Sequence, residues 1–294
     1  MDRRNLLKMA GGSLALSSIS CQSATVAGSS KSFPFKKSFC FWCYKDHWGI
    51  EQQIDAALKL GCDGIELVDP KHFDKLKAAG LECSLTTSHG YTKGMNNKIF
   101  HDENIKKMKE RIDVTKKYGF SNVITFVGFA DTTKFGGSKI DPEEGIKNCI
   151  EGYKKIIGYA EKKGITLQME ILNSRVEEKM KGHPGFAGDT VEYCGEIIRA
   201  IGSENLKILF DIYHVQVMQG DLITRIGENA DIIGHIHTAG CPGRNELDDT
   251  QEINYPAVMK KLKEIGYKDY VTHEFIPTRE PYNGLVEAFE RCSI

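Results

Sequence analysis

Four side chains able to hold a metal ion or move a proton stand at the ends of four successive strand-like runs. They are Glu170 in TLQMEIL, Asp211 in KILFDIYH, His237 in IGHIHTAG and Glu274 in YVTHEF. Three carboxylates and one imidazole suit an oxygen-preferring divalent ion such as Mn²⁺ or Mg²⁺. One carboxylate after an apolar run is ordinarily a turn former or a helix cap. Three carboxylates and a histidine at corresponding places in consecutive units are not explained by capping, so the set reads as a metal-dependent catalytic centre.

The elements that must position these residues alternate from residue 38 onward. The strand candidates are SFCFWCYK, DGIELV, ECSLTTSH, NVITFVGF, ITLQMEIL, KILFDIY, DIIGHIHTA and DYVTHEF. Between them run amphipathic helical stretches, including IEQQIDAALKLG, ENIKKMKERIDVTKKYG, PEEGIKNCIEGYKKIIGYAEKKG, DTVEYCGEIIRAIG, YPAVMKKLKEIG and NGLVEAFERC. Gly61, Gly80, Gly119, Gly164, Gly202 and Gly266 stand where helices should stop. Eight β-α units predict an α/β fold, a single (β/α)₈ barrel, with a doubly wound open sheet as the alternative. In such a barrel the catalytic mouth lies at the C-terminal ends of the strands, which is where all four side chains fall. His235 and His237 share a strand face by period 2; His237, nearer the strand end, is taken for the metal and His235 for a hydrogen-bonded layer below, an assignment that could be reversed. Glu66, pointing into the barrel, needs a partner if buried.

The chain has 294 residues, 27% of them charged, with a formal net charge of −1. That length accommodates one barrel of about 250 residues without a second domain, and no linker divides the chain after residue 30. Mixed charges give no field for nucleic acid, so no nucleic-acid partner is expected; the lysines from Lys106 to Lys117 read as a solvated helix face. Residues 1–30 differ in composition. Arg3, Arg4, Leu6, Leu7 and Lys8 followed by small apolar residues match a twin-arginine export signal. Residues 31–294 then form the barrel. Cleavage before a lipidated Cys21 and cleavage after Ala27 both fit, giving a membrane-anchored lipoprotein or a periplasmic protein, with the lipid on Cys21 the only membrane contact. Export of an already folded chain weakens the case for disulfides. Cys40 and Cys43 in FCFWCY would lie on opposite faces of a strand and pack in the core.

Three stretches, MEILNS, FDIYHVQVMQGD and GHIHTAGCPGRNELDDTQEINY, followed by HEF, resemble the hydroxypyruvate isomerase branch of the xylose-isomerase-like sugar isomerase and epimerase superfamily. In strand-helix order the resemblance extends over most of residues 38 to 290. It implies Glu170, Asp211, His237 and Glu274 as metal ligands, with Glu170 and Glu274 also the catalytic acid and base. It implies His214 and Arg244 as holders of substrate oxygens, set against a helix-start hydrogen bond for His214 and a loop ion pair with Glu246 or Asp248 for Arg244. His89, with Trp42 or Trp48, would shape the pocket. The chain departs from the branch twice. Hydroxypyruvate isomerases usually carry Gln where His237 stands, whereas the ketose 3-epimerases carry His. The loop NSRVEEKMKGHPGFAGDT is also longer and more polar than the usual NxxxxPG segment; its Arg175, Glu177 and His183 are left outside the catalytic set.

The chemistry implied is proton transfer beside a carbonyl through an enediolate, on a small hydroxy-carbonyl or sugar substrate. Return of the proton to the neighbouring carbon gives aldose-ketose isomerisation. Return to the opposite face of the same carbon gives epimerisation, as in a ketose 3-epimerase. A non-catalytic exported sugar-binding protein and a multinuclear metal endonuclease are the readings from other classes; the second would need more ligands and a basic surface.

Overall fold

The computed structural model describes residues 32–294, and the segment expected to carry the export signal and Cys21 lies outside them. Seven parallel strands form the sheet: β1 (Lys36–Cys40), β2 (Gly64–Glu66), β3 (Asn122–Thr125), β4 (Thr166–Glu170), β5 (Leu206–Asp211), β6 (Ile233–Thr238) and β7 (Tyr270–His273). Their order is β2-β1-β7-β6-β5-β4-β3, so the first and last strands in sequence pair and the sheet curls round. Around it lie α1 (Phe41–Tyr44), α2 (Ile50–Leu60), α3 (Phe73–Ala78), α4 (His101–Tyr118), α5 (Pro142–Lys154), α6 (Ile157–Lys163), α7 (Val191–Ile201), α8 (Ile212–Met218), α9 (Leu222–Glu228), α10 (Tyr255–Glu264) and α11 (Pro281–Arg291).

The third expected strand, ECSLTTSH, does not form as one. Single bridges join Glu82 to Gly64 and Thr86 to Val123. Ile65 N donates to Glu82 O, Leu67 N to Leu85 O, and Ile124 N to Thr86 O, so this segment closes the ring between β2 and β3. The carbonyl of Ser84 is taken by the Asn122 side chain at 3.1 Å rather than by a ladder bond. Side-chain competition of this kind breaks a regular strand while leaving its backbone satisfied.

Two further expectations are corrected. The first strand stops at Cys40, and Phe41–Tyr44 turn into α1. The opposite-face argument for Cys40 and Cys43 therefore fails: the two thiols are neighbours, and both are buried and free, like all eight described cysteines. The long helix expected over 142–164 divides into α5 and α6. Bonds from Lys155 N to Gly152 O and from Ile156 N to Tyr153 O tighten the chain there, and both Tyr153 and Ile156 turn into the core.

Other helix boundaries follow the chemistry of their ends. Asp141 accepts from Glu144 N, with Pro142 in the first turn, and Thr190 accepts from Tyr193 N. The six glycines expected to stop helices have φ between 63° and 78°. A bulge between Ile208 and Leu209 sets the register of β5 on β6, so that Leu209 faces His235 and Asp211 faces His237. Gly234, at that bulge, has no room for a side chain because Gln168 and Lys207 pack against its Cα.

Candidate active site

The register of the strands brings the chemistry together. Asp211 and His237 are direct neighbours across β5 and β6, and Glu274 follows β7, where its N–H donates to Thr238 O at 2.9 Å. Glu170 ends β4. Donor atoms of Glu170, Asp211, His237 and Glu274 all lie within 4.8 Å of one another, and all four residues are buried. His237 Nδ1 is 2.8 Å from Glu274 Oε2, 3.5 Å from Glu170 Oε1 and 3.8 Å from Asp211 Oδ2.

Beneath this set is a second layer. His235 Nε2 bonds Glu66 Oε2 at 2.9 Å, which gives Glu66 its partner and places His235 below His237 as expected. Glu66 Oε1 lies 2.8 Å from His237 Nε2, an ionic contact rather than an aligned hydrogen bond. Glu66 thus turns the Nδ1 edge of His237 toward the upper carboxylates.

Asp211 has two roles at once. Its Oδ1 accepts from His214 N at 3.0 Å and starts α8, while Oδ2 faces the cluster. His214 Nδ1 accepts from the backbone and side chain of Asn173, at 3.1 and 2.6 Å, and its Nε2 is buried without a hydrogen bond. Arg244 does not make the loop ion pair with Glu246 or Asp248; those carboxylates serve Thr278 and Arg279 instead. Its Nη2 pairs with Glu274 and lies 3.4 Å from Asp211, and Nη1 donates to Met180 O at 2.7 Å. The backbone at Arg244 has φ 55°, a strained conformation for a side-chain-bearing residue, and is pinned by Ile276 N donating to its carbonyl at 2.7 Å.

Above the cluster opens a cavity of about 280 Å³. Glu170, Glu274 and Arg244 are on its floor, and Trp42, Leu67, Phe126 and Leu172 are among the apolar walls. Trp42 Nε1 donates to Glu274 Oε1 at 2.7 Å, so Trp42 orients that carboxylate. Trp48 stacks on Tyr44 away from the cavity. His89 lines the cavity, yet both ring nitrogens face protein partners, Gly90 O at 3.2 Å and Thr125 Oγ1 at 2.9 Å; it offers shape rather than a free polar atom. Of the three loop residues that sequence reasoning set aside, His183 is buried and lines the cavity, while Arg175 and Glu177 are not among its walls. The one local signal for His183 was its place in the HPG run of that loop. Asn173, the hinge of that loop, was missed.

Protonation is distributed unevenly. Burial pushes Glu170 from an ordinary 4.5 up to about 7, with its own neighbouring carboxylates adding to the effect and His237 opposing it. Glu274 is held well below the usual range: burial would raise it, but Arg244 and His237 outweigh burial. Burial also opposes charge on His237, yet Glu66 and Glu274 push it well up. A divalent cation fits the donor set. Glu170 Oε1 is buried with no hydrogen-bond partner, and the spacing of the four donors allows one ion to touch all of them.

Fold and site together define an α/β barrel whose strand ends carry a carboxylate-imidazole cluster. A family model described as the xylose isomerase-like TIM barrel matches residues 54–292, and the chain belongs to that family. Similar proteins include hydroxypyruvate and 2-oxo-tetronate isomerases. It is 30% identical over 136 residues to a putative hydroxypyruvate isomerase of Homo sapiens, covering 46% of this chain and 47% of that protein. It is 32% identical over 122 residues to a 2-oxo-tetronate isomerase of Cupriavidus necator, covering 42% and 44%. The chain thus spans less than half the length of these relatives. The fold resembles that of the 3-keto-D-glucoside 4-epimerase of E. coli, with a TM-score of 0.70, 18% identity, and coverage of 88% of this chain and 100% of the other.

Proposed function

We propose that this chain is a metal-dependent isomerase of small hydroxy-carbonyl compounds or sugars, working by enediolate proton transfer. The supporting observation is the convergence of Glu170, Asp211, His237 and Glu274, from four consecutive strand ends, into one buried cluster, of which Glu170 and Glu274 reach the floor of the cavity. The names of the relatives, hydroxypyruvate isomerase and 2-oxo-tetronate isomerase, support the same class of reaction.

The four residues would hold Mn²⁺ or Mg²⁺, which when bound supplies a Lewis acid for the carbonyl and for the charge that develops on its oxygen. The remaining work falls to side chains. β4 and β7 are separated by two strands, so Glu170 and Glu274 reach the floor from different sides. One removes the carbon-bound proton and the other returns it. Trp42 and Arg244 fix the Glu274 carboxylate, while His214, buried outside the cavity lining with Nε2 3.7 Å from Asp211 Oδ2, backs the Asp211 carboxylate. Leu67, Phe126 and Leu172 exclude water from the reacting carbon.

Proton-carbon exchange followed by NMR in D₂O, with Mn²⁺ or with chelator, tests this reading. Deuterium incorporation that stops in chelator is expected; binding without exchange across a panel of ketoses and hydroxy-oxo acids would instead support a sugar-binding protein. A second reading, epimerisation at carbon 3 of a ketose, is favoured by His237 standing where the isomerase branch usually carries Gln. Product analysis separates the two. The twin-arginine-like residues 1–30 support export to the periplasm or anchoring through Cys21; among the described residues, no helix is long and apolar enough to cross a membrane.

A further inference from the structure

The cavity wall carries information about the substrate that the cluster on its floor does not. We propose that the substrate is a neutral polyhydroxy ketone or aldehyde rather than a 2-oxo acid, and that His183 is the residue that selects it. This rests on the isomerase reading above.

The first observation is a census of charge. Among the residues lining the cavity the charged groups are Glu170, Glu274 and Arg244, and no lysine is present. Arg244 is already committed: Nη2 faces Glu274 and Asp211, and Nη1 is spent on Met180 O. Its Nε is buried and unpartnered, one N–H whose positive charge two carboxylates already balance. Lys93 and Lys107 line a separate depression beyond His89 and Gly90, together with Glu103. When the carbonyl and adjacent hydroxyl of a substrate point at the carboxylate cluster, the group on the other side of the carbonyl must rest on the wall. In a 2-oxo acid that group is a carboxylate, and here it would meet a wall of apolar side chains and the neutral Thr87, Ser88, Tyr91 and His183, with no free cation. An unpaired charge in such surroundings is strongly disfavoured. A hydroxymethyl group carries no such penalty.

The second observation is His183. Its ring makes no hydrogen bond among the described residues, although only 6% of the residue is exposed. It packs edge-on against Tyr91, with ring centres 4.4 Å apart, and its ring centre is 5.9 Å from that of His214. The Tyr91 hydroxyl is likewise without a hydrogen bond among the described residues. This position is built, not a loop happening to hang nearby. His183 N donates to Asn173 O at 2.8 Å, and Asn173 Nδ2 and Tyr213 Oη both donate to Lys181 O, at 2.8 and 2.9 Å. Gly182 lets the loop fold that tightly, because a Cβ there would run into Val176 O and the Asn173 side chain. Burial, with the Arg244 charge acting in the same direction, holds His183 at about 4, so the ring is neutral at physiological pH. A neutral imidazole has one donor and one acceptor. A hydroxyl can use both, whereas a carboxylate can use only the donor and repels the lone pair.

Two pairs of compounds differ only by a hydroxymethyl group in place of a carboxylate: dihydroxyacetone with hydroxypyruvate, and erythrulose with 2-oxo-tetronate. With full-length Mn²⁺-loaded protein, carbon-proton exchange in D₂O gives kcat/KM for each, and calorimetry gives binding. The neutral member of each pair should be favoured by about 100-fold, the size of discrimination expected when a charge has no partner in a site built for a hydroxyl. Acids turned over as well as or better than their neutral partners would overturn the inference and leave the isomerase reading standing. Exchange with neither acids nor neutral sugars, ketohexoses included, would remove both. His183→Phe should raise KM for the neutral compounds about tenfold, with a smaller change in kcat and none in the fold by circular dichroism. His183→Arg should shift the acid-to-neutral ratio at least tenfold toward the acids. Unchanged KM in His183→Phe, or an unchanged ratio in His183→Arg, would refute the role of His183. Should one variant fail to fold, the other decides the role of His183, and the wild-type pair comparison decides the substrate class without either.

Discussion

Replacing Arg244 with Met keeps the apolar stem and removes the cation that faces two buried carboxylates, Glu274 and Asp211. Removing one member of a buried pair usually costs about 3–5 kcal/mol, because the stranded charge stays out of water. Here a ceiling applies. Glu274 can take up a proton instead, and from an ordinary 4.5 that costs about 3.4 kcal/mol at pH 7, at about 1.36 kcal/mol per unit. His237, still 2.8 Å from Glu274, relieves part of this, while loss of the bond to Met180 O adds about 1 kcal/mol. The metal-free variant should therefore lose about 3 kcal/mol, which for a domain of this size lowers Tm by about 6–12 °C. A divalent ion neutralises the same carboxylates, so saturating Mn²⁺ should close at least half of the gap. Thermal melts of both proteins in chelator and in Mn²⁺ measure this. A drop below about 2 °C in chelator, far under the expected range, would show that the guanidinium does not oppose those carboxylates. A deficit that Mn²⁺ leaves untouched would detach Arg244 from the proposed metal cluster.

Three other outcomes are expected. Glu274→Gln should abolish carbon-proton exchange while leaving circular dichroism unchanged; full activity would remove Glu274 from the acid-base pair. Glu66→Gln should weaken Mn²⁺ binding about 10–100-fold in calorimetry, since the carboxylate behind His237 Nε2 is lost, and unchanged affinity would make Glu66 a partner of His235 alone. For pH, Glu170 has a folded value near 7 against an ordinary 4.5, so the folded state binds that proton more tightly and metal-free stability falls as pH rises through that window. His237, also raised, contributes below its ordinary 6.5 and loses that contribution as pH climbs past its folded value. Asp211 and Glu274, both lowered, act the other way, but only in acid, below the ordinary carboxylate range. Because metal requires these sites deprotonated, the Mn²⁺-induced rise in Tm should be greater near pH 8 than near about pH 5.5; the reverse order would refute the assignment.

Much of this was written in periodicity. The alternation of strand and helix patterns, with glycine after several helical stretches, was enough for the barrel, and the strand-end positions of Glu170, Asp211, His237 and Glu274 were enough for the cluster. What the sequence hid was decided by contacts between distant residues. ECSLTTSH reads as a strand, but Asn122 takes one of its carbonyls. FCFWCYK reads as a continuation of β1, but the chain turns after Cys40 so that Trp42 can reach Glu274 across 232 positions. His183 sits in a polar loop with no periodicity, and only Asn173, Gly182 and Tyr213, acting together, turn it inward.

The ring of strands is unevenly sewn. From β4 to β7 the ladder is continuous, and each pair shares at least three register positions; that arc carries Glu170, Asp211, His237 and Glu274. The opposite arc is stitched through two single bridges at Glu82 and Thr86, and the chain that leaves it supplies Thr87, Ser88, His89 and Tyr91 to the cavity wall. Part of the cavity wall is thus mounted on a different stretch of the circle from the four donors, while His183 comes from the loop after β4. Substitutions or insertions after Thr86 can reshape what enters without disturbing the spacing of the four donors, so a lineage built on this chain can change its diet while keeping its chemistry.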